Sequence, residues 1–291
     1  MATEESVKKD LAIARSSQFN RRVREANTWS RKALAAVLPH VPAPSNATRA
    51  ITFVHVLFAV GFWYMIPEST FPGPISIARS FRDLWFENAL GRELLTSLSL
   101  NLRMIAILIP IGILAVVMRS LALTKGVVTI IGNFRFLGMS GLTLLFTFYT
   151  SGALSLRLSL LVFFVGAYYV TSLARIVDSV PQADRDYVRT LGMSEWQAMY
   201  EVDLRGNAIA MWDALRQNQA MGWMMLTGVE GLTKSAGGVG TLLLNSQRTW
   251  NLSEVYAIQI TLWVVGLLID QAFVHSQSMF PWFRAGERGD K

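Results

Sequence analysis

The sequence predicts an all-α integral membrane protein with about six transmembrane helices. Of its 291 residues, 52% are hydrophobic and only 16% are charged, whereas soluble domains have about a quarter charged residues. The charges are also segregated, since nine of the 27 lysines and arginines precede residue 50. Six apolar stretches approach the ~20 residues that a helix needs to cross about 30 Å of hydrocarbon. They are 50–66, 95–118, 126–149, 154–177, 207–229 and 254–275.

The apolar stretches lack the alternation of barrel strands, so helices are the structure that satisfies their backbone in a bilayer. They divide the chain into a basic segment (1–49), a first transmembrane helix with an external loop (50–92), a five-helix core (93–276) and a tail (277–291). In the basic segment, an amphipathic pattern at 28–38 predicts a helix that lies on the membrane surface or is simply solvated. In the loop, FPGP at 71–74 predicts a turn followed by a short amphipathic helix.

The distribution of lysine and arginine predicts the topology. With the N-terminus in the cytoplasm, nineteen basic residues fall on the inside and six on the outside, as the positive-inside rule requires. We therefore expect a multi-pass protein of the plasma membrane, or of the inner membrane in a Gram-negative cell, with both termini cytoplasmic. The first apolar run begins at Ile51, too late for the core of a signal peptide.

Several functional classes are excluded or disfavoured by composition. The chain has no cysteine, which excludes disulfides and thiolate chemistry, and its three histidines show no metal-ligand spacing. We expect no metal and no cofactor. The net charge is +7, but the basic residues flank apolar runs, so they predict topology and lipid contact and no nucleic-acid partner.

Residues 178–206 are unusual for a connection between two spans. Ser179 and Gln182 around Pro181 predict a capped helix start, and Gly192 fits the left-handed position after a helix end. Ser194 and Gln197 repeat the capping pattern, so a second helix should end near Gly206. The sequence thus predicts a helix–turn–helix, over 179–206, that projects from the membrane. Such an excursion favours a docking surface over a pair of unpartnered interfacial helices.

The same segment resembles the cytoplasmic motif of permease subunits from binding-protein-dependent ABC importers. That motif reads Glu-Ala-Ala, three residues, Gly, then about nine residues and Ile-x-Leu-Pro. Here Asp186-Tyr187-Val188 precedes Gly192 in register, and Leu204-Arg205 replaces the terminal Leu-Pro. RTLGMSEWQ is similar to a run in the nitrate, sulfonate, taurine and bicarbonate branch. LRQNQAMGW, Glu230, Gly238-Val239-Gly240 and FPGP resemble further features of that branch, over about 67–275.

The resemblance implies a translocation subunit rather than an enzyme. The expected partners are two ATP-binding cassette ATPases, a second permease chain (a homodimer), an external solute-binding protein and membrane lipid. The sequence has no G-x-x-x-x-G-K-[ST] motif, so ATP would be hydrolysed on the partner. The residues expected to couple to the ATPase are Asp186, Tyr187, Val188, Gly192 and Leu204.

Polar residues inside the apolar stretches are candidates for the solute path, because charge in hydrocarbon is costly unless it faces water or a partner. They are Arg103, Arg135, Asn133, Asn218 and Glu230. Their arginines would suit a small anionic solute. The alternatives are structural: Arg135 could be satisfied by lipid phosphate or by Glu230, and Asp213 and Arg216 by each other.

Two rival functions stay open at this point. A six-helix secondary transporter would need acidic residues in the middle of its spans, but Glu230 and Asp270 lie near span ends. A non-transporting membrane scaffold derived from the permease fold would explain the altered Asp-Tyr-Val and Leu-Arg positions. Association with an ATPase distinguishes both from an importer subunit.

Overall fold

The computed structural model describes residues 45–65, 71–233 and 236–277, which are almost entirely helical and contain no β-strand. The segment 28–38 and the tail beyond 277 lie outside these residues. The helices are α1 (Ser45–Met65), α2 (Pro74–Phe86), α3 (Leu90–Ser120), α4 (Lys125–Asn133), α5 (Met139–Tyr149), α6 (Ala153–Ser179), α7 (Gln182–Thr190), α8 (Glu195–Ala198), α9 (Ala208–Leu232), α10 (Val239–Arg248) and α11 (Leu252–Gln277). A short 3₁₀ helix, Phe134–Phe136, follows α4, and a π-helix, Met199–Arg205, continues α8.

Four of the described helices are long and apolar enough to cross a membrane: α1 (from Thr48), α3, α6 and α11. The predicted third span, 126–149, is broken, because its two helical pieces meet at an angle of 118°. It makes a fifth span only if both pieces are taken together. The predicted span at 207–229 forms a continuous 25-residue helix, α9, whose cluster of polar residues at 213–219 lowers its hydropathy. The count is thus four or five spans where the sequence predicts six.

The described chain divides into two compact units at Gly73 and Pro74. In the first unit, α1 is exposed along nearly its whole length, as expected of a helix whose surroundings are lipid or another chain. Its end is fixed by Trp63, whose indole Nε1 donates to the carbonyl of Pro72 at 3.2 Å. The ring of Trp63 also packs edge-on against Phe71.

The second unit is built around α6, which packs against α3, α4, α5 and α9. Its buried side chains include Leu160, Leu161, Phe164 and Val165, an apolar face wide enough to contact several neighbours at once. Pro74 begins α2, as a proline often does at the first helical position. The predicted amphipathic helix after FPGP is therefore present, and it packs against α11.

The two ends of the second unit differ in chemistry. The C-terminal ends of α3 and α6 lie beside α7 and α8, and we call this the hairpin end. Glu93 of α3, Arg157 of α6 and Glu230 of α9 come together at the opposite end, which we call the distal end. The candidate functional residues distribute between these two ends and the span between them.

Candidate functional site

The helix–turn–helix at residues 182–205, which we call the coupling hairpin after its expected role, forms largely as its sequence predicts. Gly192 adopts a φ of +82°, the left-handed conformation that a side chain with Cβ disfavours. Ser194 then caps the second helix. Its hydroxyl accepts from the amide of Gln197 at 3.4 Å, and the Gln197 side chain accepts from the amide of Ser194 at 2.9 Å. Both helices are thus fixed by local chemistry.

The predicted capping box at Ser179 and Gln182 is wrong. The Ser179 hydroxyl donates to the carbonyl of Ile176 at 2.7 Å and so ends α6. Pro181 takes the N-cap position of α7 without any side-chain cap. The Gln182 side chain instead donates to Asp186 Oδ1 at 3.1 Å. The proline supplies the extended backbone of a cap position, but it offers no side-chain acceptor to the first amides of α7.

The hairpin presents large apolar side chains to its surroundings. Tyr187 of α7 and Leu191, which follows the last residue of α7, are 64% and 60% exposed, and Trp196 and Tyr200 of the second helix are 62% and 56% exposed. Each pair is spaced i,i+4, so its members share one helix face. Monomeric surfaces seldom leave so many aromatic groups uncovered, and such patches mark interaction sites. Of the other predicted coupling residues, Val188 and Leu204 are half-buried.

Arg189 forms exposed ion pairs with Asp186 and Glu195, and the pair with Glu195 connects the two helices of the hairpin. Arg189 donates to both carboxylate oxygens of Glu195 at 2.9 and 2.8 Å, and to Asp186 at 2.7 Å. The hydrogen bonds from Arg189 lower the pKa of Glu195. Because the folded-state pKa is lowered, this bridge operates at neutral pH and is lost only as the pH falls through the acidic range. Asp186 is therefore exposed but already partnered.

Asp203 joins the hairpin to the rest of the bundle. Its carboxylate is buried, with the side chain 3% exposed, and it accepts from Arg185 at 2.8 and 3.1 Å. It also accepts from the hydroxyl of Ser120 at the end of α3, at 3.0 Å. Arg185 in turn donates to the carbonyl of Val177 in α6, at 3.1 Å. This set of contacts, which we call the latch, connects α7 and the π-helix to two spans.

The latch was not singled out from the sequence, where Arg185 and Asp203 read as two charges in a polar segment. Arg185 and Asp203 are 18 residues apart, and Ser120 lies on another helix. A cavity of about 550 Å³ opens beside the latch and is lined also by Arg119, Lys125 and Asp178. Arg119 Nε donates to Asp178 at 3.0 Å, so the ends of α3 and α6 are tied by a second ion pair.

Glu230 is fully buried at the distal end and has a complete set of partners. It accepts from the hydroxyl of Ser97 at 2.7 Å and from the amide of Gly240 at 2.8 Å. The Ser97 hydroxyl also accepts from the amide of Val239 at 3.0 Å. The suggested pair between Glu230 and Arg135 is wrong, because Glu230 pairs with α3 and α10. Its carboxylate holds the start of α10 against α9.

The glycines of this turn fit only without side chains. Gly238 has a φ of +98°, and a Cβ there would lie 2.5 Å from Glu230 Oε1. Gly238 also donates its amide to the Glu93 carboxylate. In the sequence, the Gly238-Val239-Gly240 run was singled out only as a resemblance. In the structure, it packs over the buried carboxylate of Glu230.

Arg157, counted among the six basic residues on the external side of the membrane, is completely buried in α6. Its guanidinium donates to the carbonyl of Gly237 at 2.7 Å, to the carbonyl of Glu230 at 3.3 Å, and to Thr233. These carbonyls lie at the end of α9 and in the glycine turn, and that of Glu230 also accepts from the amide of Thr233 at 3.2 Å. Arg157 therefore satisfies the backbone of this turn. No sequence signal distinguishes it from an arginine in a loop.

The predicted path residue Asn218 is buried between helices. Its side chain donates to the carbonyl of Ala214 at 2.7 Å and to the hydroxyl of Ser172 at 3.3 Å. The neighbouring Gln219 donates to Asn101 at 3.3 Å. The contact of Asn218 with Ser172 connects α9 to α6, and that of Gln219 with Asn101 connects α9 to α3. The predicted pair of Asp213 and Arg216 is confirmed at 3.0 Å, and Arg216 also reaches Asp270 at 3.3 Å.

Arg103 is the exposed charge in the middle of a span. It lies about 20 Å from the start of α3 and about 26 Å from its end, at 1.5 Å per residue, and its side chain is exposed. Within the described part of the chain, it has no hydrogen bond or ion pair. Pro110 stands seven residues further on the same helix. Since proline has no amide hydrogen, the carbonyl of Ala106 between them lacks its helical partner.

Arg135 and Asn133 lie elsewhere, in a cavity of about 230 Å³ between α4 and α6. Arg135 is half-buried and stacks over the ring of Phe136, with 4.8 Å from its guanidinium carbon to the ring centre. Asn133 is exposed. Arg119 and Asp178 line the same cavity, which places it near the hairpin end. The five predicted path residues thus occupy four separate locations.

Comparisons with known proteins address the fold. No protein-family model matches the sequence, and no curated protein matches it. Among solved structures, the chain is similar to one described as a crystal structure of an amino acid ABC transporter with histidines. The identity is 17% and the TM-score 0.52, over 68% of this chain and 96% of that one. At this identity the likeness shows the fold alone, an all-α bundle like that of the transporter with which it is compared.

Proposed function

We propose that the chain is the membrane-spanning permease subunit of an ATP-driven importer that moves a small anionic solute. The observation that carries the proposal is the coupling hairpin, with an exposed aromatic surface on one side and the buried latch on the other. The fold likeness to an ABC transporter supports it. The expected partners are two ATPase subunits, a second copy of this chain and an external solute-binding protein. The hairpin end is cytoplasmic in this arrangement.

The exposed side of the hairpin suits a groove on an ATPase. Tyr187, Leu191, Trp196 and Tyr200 are large and uncovered, and aromatic residues contribute disproportionately to protein–protein binding. Met193, Trp196, Gln197, Tyr200 and Glu201 line a shallow depression of about 310 Å³. A side chain of the partner could occupy that depression. The bulky Tyr187 and Val188, in place of two alanines, then imply a wider groove on the partner.

The latch gives the hairpin a way to move the spans. Asp203 is bonded to Arg185 and Ser120, and Arg185 to the carbonyl of Val177. A displacement of α7 therefore acts on the ends of α3 and α6 through short, directional contacts. Rigid-body motion of a packed bundle between two states is the usual form of alternating access. Motion of the ATPase pair would reach the bundle by this route.

The exposed Arg103 supports the proposal that the solute is an anion. An unpaired arginine and the freed carbonyl of Ala106 are costly in hydrocarbon, so this face of α3 faces water or a partner. A water-filled passage meets both needs, and Arg103 would then attract an anion into it. Glu230, the acid that a proton-coupled secondary transporter would use, already binds Ser97 and Gly240. The expected solutes are those of the branch that the sequence resembles, such as nitrate, sulfonates, taurine and bicarbonate.

Removing the aromatic surface is expected to release the ATPase. The tagged chain is purified from native membranes, and nucleotide-hydrolysing proteins that accompany it are identified and assayed. In the double variant Tyr187→Ala/Trp196→Ala, co-purification should fall more than tenfold, because such anchors are each worth about 2 kcal/mol or more. Phe86→Ala, which removes an exposed aromatic from α2, is the control and should change nothing. An ATPase retained by the double variant, or lacking in wild type, contradicts the proposal.

Arg103→Gln is expected to weaken solute stimulation of ATP hydrolysis without changing assembly. Losing one charge-assisted hydrogen bond should raise the half-maximal solute concentration about tenfold or more. Arg92→Gln is the matched control, because Arg92 is an exposed arginine near the start of the same helix. The measurement is the ATPase rate of the reconstituted complex across a panel of small anions. Equal curves for Arg103→Gln and wild type would remove Arg103 from the path.

A further inference from the structure

The cavity between α4 and α6 has a basic lining that the proposed function does not use. Two of its arginines, Arg135 and Arg175, come from opposite walls, one after α4 and the other in α6. Neither has a hydrogen bond or ion pair within the described residues, apart from the stacking of Arg135 on Phe136. Arg175 is exposed and Arg135 half-buried. Both are therefore available to a ligand that enters the cavity.

Among the other residues that line the cavity, Arg119 and Asp178 neutralise each other. Its acid, Asp178, accepts from Arg119 Nε at 3.0 Å and lies 3.9 Å from Lys125. Arg119 is further engaged with the hydroxyl of Thr129 at 3.1 Å. The charge that is left without a counter-ion is that of the two arginines. A cavity with two unneutralised guanidinium groups favours an anion.

The hydrogen-bond donors and the volume of the cavity indicate which anion it would bind. Guanidinium groups present several N–H donors in a planar fork, a geometry that matches phosphate oxygens. The exposed Asn133 amide supplies further donors at the rim. The hydroxyl of Thr171 donates to the carbonyl of Ala167 at 2.8 Å, so it is not a donor to the ligand. The volume of about 230 Å³ exceeds several water molecules at about 30 Å³ each, and so admits a phosphate group.

The position of the cavity brings phosphate within reach. Arg175 precedes the end of α6 by four residues, or about 6 Å of helix, and the cavity shares Arg119 and Asp178 with the hairpin end. A basic pocket between spans at this depth is where lipid headgroups bind membrane proteins. A phosphate ester from the adjoining aqueous phase has the same chemistry. We propose that Arg135, Arg175 and Asn133 form a binding site for a phosphate group, separate from the solute path at Arg103.

The test measures thermal unfolding of the purified chain in neutral detergent. The ligands are phosphatidylglycerol, phosphatidylcholine as the neutral lipid, and inorganic phosphate against chloride at equal ionic strength. A ligand that binds only the folded state raises the melting temperature. We expect phosphatidylglycerol or phosphate to raise it by several degrees. A rise with the lipid alone identifies a headgroup site, and a rise with phosphate identifies a site for a soluble anion.

The variants locate the effect. Arg135→Gln/Arg175→Gln should lose most of the shift, with at least a tenfold weaker midpoint, and the single variant Arg175→Gln should lose part of it. Arg175→Gln alters an exposed side chain and should leave the fold intact. Arg248→Gln, at an exposed arginine of α10, is the control and should keep the full shift. No anion-dependent shift in wild type, or an equal shift in the double variant, overturns the proposal.

Discussion

Replacing Gly240 with alanine is expected to destabilise the bundle by about 3 kcal/mol, the upper range for forcing a methyl group into a packed site. A Cβ at Gly240 would collide with the carbonyl oxygen of Thr227 and lie 2.7 Å from its Cα and 2.8 Å from Glu230 Cβ. Backbone atoms of α9 cannot move aside as a flexible side chain would. The substitution should separate α10 from α9 and expose the Glu230 carboxylate. The measurement is the melting temperature of the purified chain in detergent.

Gly126→Ala is a closely matched control. Gly126 is the second residue of α4, as Gly240 is of α10, and a Cβ there meets nothing within 4 Å. Alanine is about 1 kcal/mol better than glycine inside a helix, so this variant should melt at or slightly above the wild-type temperature. If both alanine variants behave alike, the close packing of the distal end does not contribute to stability.

Asp203→Ala is expected to uncouple the hairpin from the spans. The change leaves Arg185 without its carboxylate, and breaking a buried ion pair costs on the order of 3 kcal/mol. The Ser120 hydroxyl keeps the carbonyl of Val116 as an acceptor, at 3.0 Å. Arg185 is 24% exposed, so water should recover part of that cost. Hydrogen exchange at amides 182–205 should accelerate, while the amides of α3 and α6 keep their protection. In the assembled complex, ATP hydrolysis should continue but lose its dependence on solute.

Glu201→Gln provides the comparison for Asp203→Ala. Glu201 forms an i,i+4 pair with Arg205 in the same π-helix, at 3.0 Å, but both side chains are substantially exposed. Exposed pairs contribute little to stability, so exchange at 182–205 should stay close to wild type. Hydrogen exchange reports the stability of the latch whether or not the chain belongs to an importer. If Asp203→Ala accelerates hydrogen exchange at amides 182–205 but ATP hydrolysis still depends on solute, the latch is a purely structural contact.

The sequence predicted those features whose causes are local. The turn at Gly192 and the capping of Ser194 by Gln197 depend on residues within three positions of each other, so their pattern is visible in one dimension. The pair of Asp213 and Arg216 follows from the same helical spacing. The all-helical class was equally accessible, because apolar length alone predicts it.

The features that were missed depend on contacts between distant segments. Asp203 is held by a residue 18 positions away and by Ser120, 83 positions away, and no spacing rule connects them. Arg157 was counted only as a basic residue on the external side of the membrane, and its burial against the 230–237 turn depends on residues more than 70 positions away. Hydropathy averaged over 126–149 hides the bend between α4 and α5, so this stretch was interpreted as one continuous span. The same averaging over 207–229 hides the polar cluster of α9.

In the π-helix from Met199 to Arg205, each hydrogen bond spans one residue more than in the α-helix it continues. The amide of Gly206, for example, donates to the carbonyl of Glu201, five positions back, at 2.9 Å. Rewinding the π-helix to an ordinary α-helix would add about 100° of rotation, since each residue of an α-helix accounts for one part in 3.6 of a turn. Such a rotation would swing the Asp203 carboxylate away from Arg185. The width of this turn therefore sets the rotation of α9 relative to the exposed face of Trp196, and deleting one residue from the turn would change that rotation.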